Sequence, residues 1–437
     1  MSIPLDRLYN HIDKLSQRFC EDSLVIYRFF PHGSKNLKDL IALKFAVDSK
    51  NWPEWQMSPF MICHDQEPLN YDLYTKAQIK NYTEEKYINA NNSEHLVDIV
   101  SNMHLRSTIY YPLSCYDHVM LTHSEKNSKN LAQYENNGFL GVYWWSHAVI
   151  SRDWFRYAED IVQQKQVSKT FLIYNRAWSG TREYRLKFFE FLIAHNLVEH
   201  CQTTMNAVEP ELNIHYSQHT FENNHWKPTC QLEEYYDKNL ATSDHSADFV
   251  LDDYENTDIE VVLETLFDDP RLHLTEKTLR PIALGQPFIL AATSGSLQYL
   301  RDYGFQTFDT VWSEDYDQIV LAKDRLEAVA ELMKSISLWS PKVRRQKMNQ
   351  AREIANYNKQ LFFSKSWNNR ILQEYQENFE SAWETMKKNR TGKYFFELRE
   401  KAKTNATLSK QLESDNQFRT KEEVQRVINW LITSDPV

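Results

Sequence analysis

The sequence predicts an α/β protein of two lobes with mainly parallel sheets, followed by a helical C-terminal segment. Three observations predict it. Short β-rich runs alternate with amphipathic stretches, the pattern of repeated strand-helix units. The alternation pauses across the charged and aromatic stretch from Arg152 to Gln166 and restarts at Lys169. From Ser313 onward, apolar residues recur near a 3.6-residue spacing instead. At 437 residues, 42% hydrophobic and 25% charged, the chain is long enough for at least two cores, and a fibre or a disordered tail is excluded. The expected domains are residues 1–165, 166–340 and a helical segment, 341–437, packing back on the lobes.

The elements follow in order. Residues 1–20 read as a helix. Strands are expected at Leu24 to Phe29, Phe60 to Cys63, His118 to Leu121 and Leu140 to Trp144, with a helix from Lys126 to Asn136. In the second lobe Lys169 to Tyr174 reads as a strand and Thr181 to Asn196 as a helix, with further strands at Phe249 to Leu251, Pro287 to Ala291 and Thr307 to Val311. Asp324 to Ser335, Pro341 to Tyr357 and Phe363 to Lys387 read as helices, and Trp430 and Leu431 give the charged end of the chain a means of docking.

Composition excludes several function classes. Lys and Arg number 50 against 60 Asp and Glu, a formal charge of −10, so no global basic field points to nucleic acid or a membrane surface. Apolar runs such as Phe288 to Ala292 fall far short of the roughly 20 residues needed for a membrane span, and the N-terminus has no signal-peptide core. A cytoplasmic protein is expected. The five cysteines are odd in number and contain no C-x-x-C, against a disulfide framework or zinc ribbon. None of the eight glycines opens a G-x-G-x-x-G or P-loop motif, and Pro31-His32-Gly33-Ser34-Lys35 lacks the first glycine that a phosphate cradle needs. His215, His219, His225 and Cys230 match no standard zinc spacing, and Asp252-Asp253 and Asp268-Asp269 form no D-x-D. No metal or resident cofactor is expected.

In the first lobe, three strands end in polar clusters: Cys63-His64-Asp65-Gln66-Glu67-Pro68, Thr122-His123-Ser124-Glu125 and Trp144-Trp145-Ser146-His147. Strand C-termini of a parallel sheet share one edge, and ligands bind there. His64, Asp65, Glu67, His123 and His147 are therefore candidates for acid or base work, and Trp144 and Trp145 for stacking on a ring. The plainer reading makes Ser124 a helix cap and the tryptophans core.

In the second lobe, Phe171 to Tyr174 leads through Asn175-Arg176 to a helix start bearing Arg182 and Arg185. Cations in a first helical turn oppose the dipole unless an anion joins them, or unless Glu183 and solvent satisfy them. A second junction, Leu274-Thr275-Glu276-Lys277, has Thr275 as N-cap. A carboxylate there can accept ribose hydroxyls while the ammonium neutralises a diphosphate.

The stretch Val261 to Thr265, then Leu274-Thr275-Glu276-Lys277-Thr278-Leu279-Arg280-Pro281, Pro287-Phe288-Ile289 and Gly304-Phe305-Gln306-Thr307-Phe308, resembles the donor-binding lobe of GT-B glycosyltransferases. It is similar in particular to the alpha-1,3-fucosyltransferase-like group and its phage and bacterial relatives. The resemblance covers residues 171–308 and implies two Rossmann-like lobes and a nucleoside-diphosphate sugar as donor. It implies that Glu276 meets the ribose and that Lys277 and Arg176 meet the diphosphate, with Arg182, Arg185 and Glu264 also donor-binding. Where the family carries a phenylalanine-glutamate-asparagine element, this chain reads Val262-Leu263-Glu264-Thr265.

An acceptor base follows on the first lobe, Asp65 first and Glu67 second, with His64, His123, Trp145 and His147 on the acceptor side. The acceptor is a glycan or a hydroxymethylated DNA base. The latter needs a basic track, for which Lys342 to Lys347 and Lys387 to Arg390 are candidates. The competing class is a non-catalytic carbohydrate- or nucleotide-binding scaffold.

Overall fold

The computed structural model of the protein describes residues 14, 25–28, 60–64, 67–69, 119–136, 139–203, 205–210, 212–232 and 249–388. These form a mixed α/β protein with parallel sheets, divided into two compact units. Among the described residues, one unit holds those before residue 125 together with 129–144 and 373–388, and the other holds 125–128 and 145–372. The expected helix over residues 1–20, the Pro31 to Lys35 loop, Arg390, Trp430 and Leu431 lie outside the described residues, Lys14 in that helix excepted.

The first unit is built on β1 (Val25–Arg28), β2 (Phe60–Cys63), β3 (Val119–His123) and β4 (Phe139–Tyr143), in the order β1-β2-β3-β4. All pairings are parallel, with Ile26 opposite Met61, Met61 opposite Met120 and Met120 opposite Leu140. Parallel strands need a crossover, and α1 (Lys129–Asn136) supplies the one between β3 and β4, burying Tyr134 edge-on against Phe139 at 5.2 Å. Trp144 packs with its ring tilted, 4.5 Å from that of Tyr375, which starts an apolar stripe continued by Phe379, Ala382, Trp383 and Met386 at helical spacing.

The second unit is built on β5 (Lys169–Ile173), β6 (Cys201–Thr203), a small antiparallel hairpin of β7 (Val208–Glu209) and β8 (Ile214–His215), β9 (Thr257–Leu263) and β10 (Phe288–Ala291). Its main sheet is parallel in the order β10-β9-β5-β6. The chain moves from β5 outward to β6, then returns to the other side of β5 for β9 and β10. The order therefore reverses between β5 and β9. The unit also contains α2 (Ser146–Trp154), α3 (Tyr184–Ala194), α4 (Leu251–Glu255), α5 (Glu276–Leu284), α6 (Ser296–Asp302), α7 (Ala322–Ser337), α8 (Pro341–Phe363) and the first residues of α9 (Lys365–Lys388).

Most expected strands and helices appear within a few residues of their expected bounds. Three features differ. Phe249 to Leu251 is not a strand: Leu251 opens α4, and the strand is β9, in which all seven residues are buried. Its apolar run is broken by Asp258 and Glu260, and each charge is neutralised from a distant segment. Asp258 receives Arg344 and Arg352 at 2.7 Å, and Glu260 receives Arg280 at 2.6 Å. Thr307 to Val311 is a turn rather than a strand, clamped by Arg301 Nε to Thr307 Oγ1 at 2.9 Å and by Phe308 N to Glu314 Oε1 at 2.7 Å. The division between units falls at residue 145 rather than 165, because α2 packs with 145–372: the Arg152 guanidinium donates to the carbonyls of Phe362, Phe363 and Ser364 at the end of α8. Residues 341–372 belong to this same unit.

Candidate functional site

Ligands of open parallel sheets bind outside the strand C-termini where the strand order reverses. In the second unit that point is defined by the segment after β5, Tyr174 to Glu183, and the segment after β9, Glu264 to Thr275.

Glu264 organises it. Its fully buried carboxylate accepts from Thr275 N at 2.9 Å, Thr275 Oγ1 at 2.8 Å, Thr278 Oγ1 at 2.5 Å and its neighbour Thr265 N at 3.2 Å. A carboxylate in that place holds the N-cap residue of α5 and complements the helix's positive dipole end. The same residue's carbonyl accepts from Tyr184 Oη at 2.6 Å and Arg185 Nη2 at 3.3 Å. Arg185 also donates to Leu263 O at 2.6 Å and Ala177 O at 2.7 Å. One continuous set of hydrogen bonds thus ties the 177–185 loop to the N-terminus of α5. Burial pulls the Arg185 pKa down, and the acceptors shown for its guanidinium are backbone carbonyls, so it positions the loop rather than presenting a free charge.

On that frame, Thr275 caps α5 by accepting from Lys277 N, and Lys277 Nζ lies 2.8 Å from Glu276 Oε1 and 3.3 Å from the hydroxyls of Thr265 and Thr275. The other oxygen of Glu276 is 3.4 Å from His147 Nδ1, whose ring meets His273 edge-on at 5.3 Å. Burial alone would raise the Glu276 carboxyl, but the Lys277 ammonium and the His147 contact outweigh it and hold it well below the usual carboxylate range. Arg176 is exposed and its carbonyl accepts from Asn206 Nδ2 at 3.0 Å; Arg182 is half-buried and donates from Nε to Ser179 O at 3.3 Å. Glu183 is buried and accepts from the His219 ring at 2.8 Å and from Glu222 N at 3.0 Å, while Glu209 of the hairpin accepts from Trp178 N and Ser179 Oγ. The insertion between β6 and α4 therefore braces the arginine-bearing loop.

The acceptor-side residues expected from the sequence do not share one unit. His64 and His123 lie in the first, and Trp145 and His147 in the second. Trp145 has no exposed face for a sugar ring: its Nε1 donates to Leu274 O at 2.8 Å and its ring packs among Tyr299, Tyr303 and Trp367. Trp144 is likewise core. Burial drives the His64 pKa down to about 4, keeping a neutral ring beside the Pro68 carbonyl. His123 is buried next to Tyr143, in space left by Gly141, where an added Cβ would stand 3.2 Å from His123 Nε2. Glu67 is half-buried, and Asp65 lies outside the described residues. His215, His219 and His225 turn to Ser217, Glu183 and Asp268 respectively. Among the described residues, no group of three or more His, Cys, Asp or Glu could hold a metal ion, and no helix is long and apolar enough to cross a membrane.

Thr265, Thr278, His273 and Glu209 join the site as residues the sequence does not single out. The two threonines had a readable signal, being hydroxyls that flank a buried glutamate and a helix start. His273 and Glu209 had none.

Comparison of the chain with protein-family models, curated proteins and solved structures finds no match. What fold and site define is a parallel α/β protein with a cationic, hydroxyl-lined helix N-terminus at a sheet switch point.

Proposed function

We propose that the protein is a GT-B-type glycosyltransferase that moves a sugar from a nucleoside-diphosphate sugar to an acceptor hydroxyl without a metal. The observation that carries this reading is the placement of Lys277 at the capped start of α5, bound through Glu264 and Arg185 to the loop bearing Arg176 and Arg182 at the switch point. A fixed ammonium and a helix N-terminus stabilise charge that develops on a departing diphosphate, without a glycine loop. Glu276 is kept ionised and oriented by two partners, as an acceptor for ribose hydroxyls requires. Arg176, exposed on its loop, is the second contact proposed for the diphosphate. The proposed acceptor base is Asp65, with Glu67 the alternative, and the acceptor is a glycan or a hydroxymethylated DNA base.

Release of nucleoside diphosphate from UDP-, GDP- and ADP-sugars, with a glycan mixture or hydroxymethylated DNA and with EDTA present, tests it. Turnover of one donor is expected, slowed by about 10² to 10³ in Lys277→Ala, the scale of removing one preorganised charge-stabilising donor. With DNA as acceptor the rate should fall steeply with salt. No release from any donor, or full activity in Lys277→Ala, contradicts the proposal.

A further inference from the structure

The C-terminal end of α5 borders a second feature of the same unit, a cleft of about 590 Å³ between the segment 159–165 and α8. Its volume is in the range of small-molecule sites. Arg352, Asn356, Lys359, Gln360 and Phe363 line one wall, and their spacing of 4, 7, 8 and 11 from the first puts them on one helical stripe. Four of the five carry donors. Among the described residues Arg352 Nε meets no hydrogen-bond partner, and Lys359 Nζ uses one of its protons on Ile161 O at 2.7 Å. Asn356 and Gln360 are exposed.

The charge balance favours an anion. Arg352 and Lys359 line the cleft against one lining carboxylate, Glu159; Asp160 also acts on Lys359, Asp258 engages one arm of Arg352, and Lys165, with Asp258 and Glu255 acting on it, has its pKa pulled down by burial to about 7. Lys165 is not a free donor, because its amine already meets Tyr254 O, Thr257 O and Gln286 Oε1. Three of the last four carbonyls of α5 are taken by other donors: Gln163 takes that of Leu284, and the amides of Gly285 and Gln286 take those of Ile282 and Pro281. Gly285 keeps the floor open, since a Cβ there would stand 3.3 Å from Asn356 Oδ1. Ile161, Val162, Leu284 and Phe363 give the cleft an apolar part, and Val162 is 76% exposed. Burial lowers the Lys359 pKa against the opposing pull of Asp160 and Glu159.

We propose that this cleft is a binding site for a small organic anion, its phosphate or carboxylate held by the donor stripe of α8 and its apolar body against Val162 and Phe363. The site is separate from the α5 N-terminus and stands whether or not the transferase reading does.

Isothermal titration of the full chain with phenyl phosphate, hexanoate, inorganic phosphate and phenol tests it. Saturable 1:1 binding of phenyl phosphate or hexanoate is expected, at least about ten-fold tighter than inorganic phosphate, with phenol silent. The tighter of the two names the head group. Lys359→Gln and, at an exposed position, Gln360→Glu should each weaken binding about ten-fold, and Glu159→Gln should tighten it, while Lys277→Ala leaves it unchanged. Absence of saturable heat with both organic anions, equal binding of phenol, or binding lost in Lys277→Ala and indifferent to Lys359→Gln overturns the proposal.

Discussion

Replacing Glu264 should unfasten the site before it touches any ligand. Its carboxylate is fully buried and accepts from three groups across the junction with α5: Thr275 N, Thr275 Oγ1 and Thr278 Oγ1. Truncation to Ala leaves those donors without their acceptor in a buried void. A buried donor without a partner costs about 1–3 kcal/mol, so after partial relaxation Glu264→Ala should destabilise the unit by about 4 kcal/mol. Glu264→Gln keeps the shape but offers one acceptor oxygen and turns an NH₂ toward donors, and should cost about 2 kcal/mol. Urea denaturation gives the two values, and hydrogen exchange of a peptide spanning 275–284 reports whether the loss is local to α5. A cost below about 1 kcal/mol for Glu264→Ala, or unchanged exchange in that peptide, would refute the reasoning.

Two further predictions concern pH. His64 is neutral in the folded protein down to about pH 4, whereas an unfolded histidine takes up its proton near 6.5. The unfolded state then binds more protons between those values, so stability should fall by up to about 3 kcal/mol as pH drops from 6.5 to 4, and a His64→Phe variant should lose that slope in acid denaturation monitored by circular dichroism. Glu276 has the opposite origin: its folded pKa lies below its unfolded one, so its contribution is complete above the unfolded value near 4.3 and disappears as pH falls toward the folded one. Glu276→Gln should be less stable than the parent at pH 7 and should converge with it at low pH in the same measurement.

The sheets were legible because their strands are short apolar runs between polar ends, as at Phe60–Cys63 and Phe288–Ala291. β9 was not, because Asp258 and Glu260 interrupt its pattern and the arginines that neutralise them lie 20 to 94 residues away. The helix start at Thr275 was readable from its cap and its first-turn Glu. The strand-end cluster Trp144 to His147 divides between the two units for a physical reason. Adjacent residues can belong to different cores: Trp144 packs against Tyr375, while Trp145 bonds Leu274 and His147 meets Glu276. Local periodicity carries no information on contacts at that separation. Glu264 stood out in the sequence as a ligand contact, but its role as the anchor of two segments depends on partners that only the folded chain brings together.

The most direct test of the central claim is calorimetric titration with UDP, GDP and ADP against the parent, Lys277→Ala and Arg176→Ala. One diphosphate should bind the parent, and each substitution should weaken it by about ten-fold or more, Lys277→Ala the more severely. Binding of no diphosphate, or binding that ignores both substitutions, would contradict it.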